Sequence, residues 1–262
     1  MDFGRLKLKQ CRRGWMLYDI GPIFVGKCLD LYGEYSEGEV AMLQGLLRPG
    51  QVVVEVGANI GALTLPISQA VGAAGAVYAI EPDGETFNVL CANLALNDVR
   101  NTKPVAAMVV GLEEARSNGA GDAASKFAVA RLTLDAMGLD VCHLVKVDVD
   151  GSEVDVFRGG EILIERSRPF LYFENENRDR SEELLDLVMN VLGYHVYFHP
   201  TPLFVPDNFF RNPVNAWAPT EYASMMMLGV PKERTFSVNL KRVAGPQDWW
   251  DHAAPVASYY RT

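Results

Sequence analysis

The chain has 262 residues, 49% of them hydrophobic, and carries 24 basic against 33 acidic side chains, a net charge of −9. That is enough apolar material for one large domain or two small ones. The acidic balance, with no basic stripe, argues against a nucleic-acid surface. No apolar run reaches membrane-spanning length, and the amino terminus MDFGRLKLKQCRRGW lacks an apolar signal core, so no membrane association and a cytoplasmic location are expected. Cys11, Cys28, Cys91 and Cys142 form no C-x-x-C pair and read as buried thiols rather than as a zinc site or disulfide framework.

In chain order, the alternation around Gly21-Pro22 predicts an opening hairpin over 15–30. Ser36 and Glu39 suit a capping box at the head of a helix over 37–47, closed by Arg48-Pro49-Gly50. A strand over 51–56, a glycine turn and a helix over 60–71 follow, then a strand over 75–80 and a helix over 84–96. A strand over 103–110, a polar surface loop over 111–126 and a short strand over 127–133 come next. The spacing then predicts a strand over 143–148, a helix over 153–166 interrupted at Gly159-Gly160, a strand over 169–174 and a helix over 181–192 opened by Ser181. A strand over 194–198, a long loop or lid over 200–220 and a last strand over 222–230 complete the series. Strands alternating with helices from 51 to 198 predict an α/β fold, a parallel sheet with helices on both faces. Ligands on such a sheet sit beyond the carboxyl ends of its strands.

Two stretches carry most of the functional information. VVVEVGANIG at 52–61 is a run of β-branched residues ending in Glu55, then Gly57, Ala58, Asn59 and Gly61. Continuous valine suits a strand buried on both faces, and the glycines allow a sharp turn and close approach to a ligand. Further on, AIEPD places Glu81 and Pro82 at the tip of the second strand, where an acid can hydrogen-bond a ribose diol. Together they point to an adenosine-containing cofactor. The dinucleotide fingerprint G-x-G-x-x-G is not met, because Asn59 and Ala62 stand where its second and third glycines belong. The pattern E-x-G-x-N-x-G is similar instead to the first motif of Rossmann-like S-adenosyl-L-methionine-dependent methyltransferases. That ligand carries an ammonium and a sulfonium but no phosphate, and Glu55 suits its cationic end.

The sequence further resembles the FkbM-type methyltransferases. YGEYSEGEV at 32–40, VEVGANIGALTL at 54–65 and KVDVDGSEVDVFRG at 146–159 carry the likeness, which extends over about residues 30–230. It implies a seven-stranded methyltransferase sheet with an antiparallel last strand, S-adenosyl-L-methionine as donor, and usually an oxygen acceptor on a sugar or secondary metabolite. Residues 1–50 then read as a hairpin and helix leading into the fold, 51–230 as the cofactor-binding methyltransferase domain, and 231–262 as a carboxyl-terminal extension without a family reading. Glu55 stands where the family commonly has Asp.

For the chemistry, methyl transfer to a hydroxyl needs the acceptor held in line and its proton removed. Asp148 lies at the tip of the strand 143–148, and His199 at the end of 194–198; both are candidate proton acceptors. His199 could equally be a partly exposed histidine packing near Pro200. Tyr35 and Ser36 could close over the methionine end of the cofactor, although Ser36 also suits a simple helix cap. Asp148, Glu174 and Asn175 form an oxygen-donor set compatible with Mg²⁺; the alternative is a polar loop that binds a small hydroxylated acceptor. Two rivals remain open at this level: a nicotinamide-dependent oxidoreductase on the same fold, and a cofactor-binding protein without catalysis.

Overall fold

The computed structural model describes every residue except 1, 4, 22–23, 117–128, 220–221, 252–254 and 261–262. The chain opens on a small antiparallel sheet of β1 (Asp2–Phe3), β2 (Leu6–Cys11) and β3 (Gly14–Asp19), followed by α1 (Phe24–Tyr32) and α2 (Glu37–Leu46). The hairpin therefore turns at Arg12-Arg13 and not at Gly21-Pro22, and Pro22 lies outside the described residues. Asn97 fixes the turn, since its side chain accepts from the Trp15 N–H at 2.8 Å and donates to the Trp15 carbonyl at 2.8 Å.

Next come β4 (Val52–Val56), α3 (Thr64–Val71), β5 (Ala76–Ile80), α4 (Gly84–Leu96), β6 (Thr102–Val105), β7 (Ala107–Val109), α5 (Leu112–Arg116) and β8 (Ala130–Leu132). They are followed by β9 (Leu144–Val147), α6 (Glu153–Arg158), α7 (Glu161–Ser167), β10 (Phe170–Glu174), α8 (Arg178–Asp186), β11 (Tyr194–Pro202) and β12 (Ala223–Pro231). Seven strands make one sheet in the order β11-β12-β10-β9-β4-β5-β6. Only β12 runs antiparallel to its neighbours, β10 and β11; the remaining pairs are parallel. This is the expected α/β sheet with an antiparallel last strand. Both faces are covered, so β4 and β9 are apolar apart from Glu55 and Lys146. Val53, Val77, Leu144 and Tyr172 pack against α2 and α3, while Val54, Val145, Leu171 and Phe173 pack against α6, α7 and α8.

Several boundaries differ from the sequence reading, each for a local reason. The helix expected from 60 begins at Thr64, because Asn59 (φ +51°) and Gly61 (φ +88°) keep the preceding backbone in a left-handed turn. The strand expected over 103–110 splits, and its second half pairs with β8 outside the main sheet. Of the loop expected over 111–126, 112–116 form α5 and 117–126 lie outside the described residues, as do 127–128 of the expected short strand. The helix expected from Ser181 starts three residues earlier, capped by Asn177, whose side chain accepts from the Asp179 N–H at 3.1 Å. The strand expected to end at 198 continues to Pro202, because β12 pairs with it along its whole length. The residues after 231 run back over β11: the Phe198 N–H donates to the Lys241 carbonyl at 3.0 Å, and Trp250 packs on Phe198 with ring centroids 4.7 Å apart.

Candidate active site

The turn after β4 is shaped by one close approach. Gly57 has φ +79°, and a Cβ there would run into the backbone oxygen of Asp148 at the end of β9. Glycine thus lets the tips of β4 and β9 come together. The N–H groups of Gly57 and Ala58 both donate to the Ile80 carbonyl at 3.0 Å, which ties the turn to β5. Glu81, just past β5, closes the arrangement: its carboxylate accepts from the Asn59 N–H at 2.9 Å and from the Asp83 N–H at 2.9 Å. One acid therefore organises both βα turns while keeping lone pairs for a ligand.

A cleft of 410 Å³ opens above these turns, at the carboxyl ends of β4, β5, β9 and β10. Of the residues expected to hold a cofactor, Tyr35, Glu55, Gly57, Ala58, Asn59, Glu81, Pro82 and Asp148 line it. Gly61 does not; it shapes the turn from behind, donating its N–H to the Ala58 carbonyl at 3.0 Å. Ser36 does not reach the cleft either, nor does its side chain cap α2. Its hydroxyl pairs with that of Thr201 at 2.9 Å, which docks the start of α2 on β11. Phe24 and Val25 of α1 supply an apolar wall, where Phe24 meets Trp217 and Tyr222 at centroid distances of 5.3 and 5.5 Å.

The floor of the cleft is charged and dry. Strand register puts Glu55, Lys146 and Tyr172 side by side across β4, β9 and β10. Glu55 is 0% and Lys146 1% exposed. The Lys146 Nζ donates to Asp148 Oδ2 at 2.8 Å. Burial alone would depress the Lys146 ammonium; the carboxylates of Asp148, Glu55 and Glu39 reverse the sign and hold it above the ordinary lysine range. Glu55 accepts from the Thr64 hydroxyl at 2.7 Å through Oε2, while Oε1 is buried without a hydrogen-bond partner. Burial pushes the Glu55 carboxyl up to about 7 against the pull of Lys146. Glu174, on the far side of Asp148, is pushed up to about 9 by burial and by the charges of Asp148, Glu176 and Glu153. That shift favours the neutral carboxyl form, which can donate a hydrogen bond.

Lys146 and Glu39 belong to the site although the sequence reading gives neither a site role. Glu39 is 1% exposed on α2, and burial pushes its carboxyl up to about 7. In the sequence a capping-box role with Ser36 accounts for Glu39 locally, but Ser36 makes no side-chain cap in the structure. The signal that could have found Lys146 is its place inside a strand that has to be buried on both faces.

The metal expectation is not supported. Asn175 turns to the opposite face of the sheet from Glu174, as successive strand residues do. There its side-chain amide N–H donates to the Ser181 hydroxyl at 3.0 Å, and its main-chain carbonyl accepts from the Trp250 indole at 2.7 Å. Lys146 already occupies the Asp148 carboxylate. Among the described residues no group of three or more His, Cys, Asp or Glu is arranged to share an ion, Mg²⁺ included. His199 stands inside β11 rather than at its end, is 3% exposed, and sits with Nδ1 at 2.7 Å from the Tyr172 hydroxyl. Burial pushes it down to about 4. It does not line the cleft.

The strand order, the antiparallel last strand, the glycine turn after the central strand and the acids at the neighbouring strand tips define a Rossmann-like methyltransferase fold. The chain belongs to the FkbM methyltransferase family: the profile described as "Methyltransferase FkbM domain" matches residues 55–198, just over half of its length. Among solved structures, it is similar to a SAM-dependent methyltransferase from Agrobacterium tumefaciens, with a TM-score of 0.56 and 10% identity over 89% of this chain and 72% of that one. It is also similar to M. jannaschii TYW2 in complex with AdoMet, with a TM-score of 0.52 and 17% identity over 87% of each chain. A SAM-dependent O-methyltransferase from Thermotoga maritima gives a TM-score of 0.50 and 15% identity over 89% of this chain and 80% of that one. At these identities the likeness is one of fold. No curated protein matches the sequence. Among the described residues, no helix is long and apolar enough to cross a membrane.

Proposed function

We propose that the chain transfers a methyl group from S-adenosyl-L-methionine to a hydroxyl of a small-molecule acceptor. The observation that carries this reading is the position of Asp148. Its carboxylate lies at the tip of β9, beside the glycine turn, and its side chain keeps 30% of its surface open toward a cleft whose floor is buried. When bound, the cofactor supplies an activated methyl group on a sulfonium, so the protein's task is alignment, dryness and proton removal.

The residues fit that ligand. The unpartnered Oε1 of Glu55 suits an ammonium, and the Glu81 carboxylate, fixed by two backbone N–H groups, suits ribose hydroxyls. Gly57 and Ala58 offer a backbone surface without bulk. Asp148 then accepts the acceptor's hydroxyl proton, while the hydrogen bond from Lys146 aims that carboxylate. Phe24, Val25 and Leu63 exclude water from one side.

The test is incubation with S-adenosyl-L-methionine and a panel of hydroxylated small molecules, following S-adenosylhomocysteine release. Turnover should persist in excess chelator and fall about 10²-fold or more in Asp148→Asn, with cofactor affinity retained. Full activity in Asp148→Asn would remove Asp148 from the proton-accepting role.

A further inference from the structure

Beneath the cleft lies a second carboxylate that the proposed reaction does not use. Glu39 projects from α2 and does not line the cleft, yet it is within electrostatic reach of Lys146, Asp148 and Glu55. It shares one feature with Glu55. Each is a fully buried carboxyl group with one oxygen lacking any hydrogen-bond partner, Oε2 in Glu39 and Oε1 in Glu55. Two such orphans around a single ammonium are costly, because an unpaired buried charge is far less stable than a neutral or paired one. Charge counting gives the same result. Lys146 is the one buried cation among these groups, and Asp148 holds its hydrogen bond. Glu39 and Glu55 together therefore exceed the positive charge available to them.

We propose that Glu39 and Glu55 share a proton that is displaced when the ammonium of the methionine portion of the nucleoside cofactor enters beside Glu55, with Glu39 a positioning residue that acts through the negative charge it places beside Glu55. The proposal rests on the cofactor reading above. The step balances simply: one carboxyl O–H bond breaks, its proton leaves to the buffer, and the freed oxygen accepts an N–H bond from the ligand. The charged and titratable groups around the pair are Lys146 and Asp148 from β9, Tyr172 and Glu174 from β10 and Tyr35 from the turn before α2. Both tyrosines are held well above their ordinary range by burial and stay neutral; Lys146 stays charged. The exchangeable proton therefore belongs to the carboxylates. Burial pushes both up to about 7, which places the exchange near neutral pH.

The direction follows from linkage. Below neutrality the carboxyl pair holds its proton and the ligand has to displace it, so affinity rises with pH and levels off once the pair is ionised. Removing Glu39 takes away a negative neighbour, so Glu55 ionises more readily and the midpoint of the rise moves to lower pH.

The experiment is calorimetric titration of the full chain with S-adenosylhomocysteine between pH 6 and 7.5, in buffers of differing ionisation enthalpy. 5′-Methylthioadenosine, which lacks the ammonium and carboxylate, is the control ligand. For S-adenosylhomocysteine, we expect proton release on binding below pH 7 and an affinity gain of about fivefold across the range; neither should appear with methylthioadenosine. Glu55→Gln should abolish the release, and Glu39→Gln should shift the midpoint downward. A merely structural Glu39 would lower thermal stability and leave the midpoint and proton count of its variant unchanged, which would overturn its role. Wild-type binding without proton release would overturn the exchange and leave the cofactor reading standing. Absence of binding at every pH would overturn both. The wild-type comparison of the two ligands needs no variant to fold.

Discussion

Lys146 and Asp148 sit two residues apart on one face at the end of β9 and form an ion pair of 2.8 Å whose ends occupy different environments. The ammonium is 1% exposed beneath the cleft, whereas the Asp148 side chain keeps 30% of its surface open to it. The pair converts a buried positive charge into an oriented carboxylate at the cleft wall.

Lys146→Met tests that coupling. Removing the ammonium leaves Asp148, Glu55 and Glu39 without their common counter-charge, and breaking a buried pair from one side costs about 3 kcal/mol or more. Urea denaturation at pH 7.5 should show the loss. The double variant Lys146→Met with Asp148→Asn should recover part of it, because the remaining partner is then neutral. Equal stability of Lys146→Met and wild type would mean that solvent already screens the pair.

Gly57→Ala separates backbone strain from collision. At φ +79° an alanine costs roughly 1–2 kcal/mol, and its Cβ must also push the Asp148 carbonyl away. Gly50 has φ +86° and open space where a Cβ would go, so Gly50→Ala carries only the conformational cost. Thermal denaturation should therefore show a larger loss for Gly57→Ala, accompanied by loss of S-adenosylhomocysteine binding that Gly50→Ala retains. Identical effects of the two substitutions would contradict the close approach of β4 and β9.

His199 makes a stability prediction with a defined sign. Its folded-state value is about 4, below the ordinary histidine value of about 6.5. Between these two values the unfolded chain binds a proton that the folded chain does not, so this residue's contribution is present above about pH 6.5 and lost as pH falls toward 4. The full contribution is on the order of 3 kcal/mol. The raised carboxyl groups of Glu39, Glu55 and Glu174 act in the opposite sense, contributing stability that is lost as pH rises past their folded-state values. The comparison must therefore be made against His199→Asn, which keeps an acceptor for the Tyr172 hydroxyl. The stability difference between wild type and variant should shrink between pH 6.5 and 4.5; a constant difference would show that His199 does not titrate in this window.

Much of this architecture is legible in the residues because its signals are local. The run VVVEVG is both a buried strand and the start of a tight turn, and Glu81 follows at the tip of the next strand, so the cleft's near side can be read from two short segments. The helix over 84–96 coincides with the structure because Asp83 caps it and Asn97 ends it. The opening hairpin lies away from its expected place for a physical reason: Gly21-Pro22 is a strong turn signal, whereas the actual turn at Arg12-Arg13 is fixed by Asn97, some 80 residues away in sequence. Strand parity alone is enough to separate Glu174 from Asn175, since adjacent residues of a strand face opposite sides of the sheet. The Lys146 pocket is less accessible to sequence reasoning, since its counter-charges come from α2, β4 and β9, and only tertiary packing brings them together. His199 reads as a strand-end residue because β12, which extends β11 to Pro202, lies across a long irregular connection.

The central claim, that the cleft holds a sulfonium nucleoside by its amino-acid end and its ribose, is tested most directly by calorimetric titration of wild type and Glu81→Ala with S-adenosylhomocysteine, with NADH as the competing ligand. Saturable binding of S-adenosylhomocysteine to wild type, weakened about tenfold or more in Glu81→Ala, with no binding of NADH, is the expected result. Binding of NADH alone, or unchanged S-adenosylhomocysteine affinity in Glu81→Ala, would contradict it.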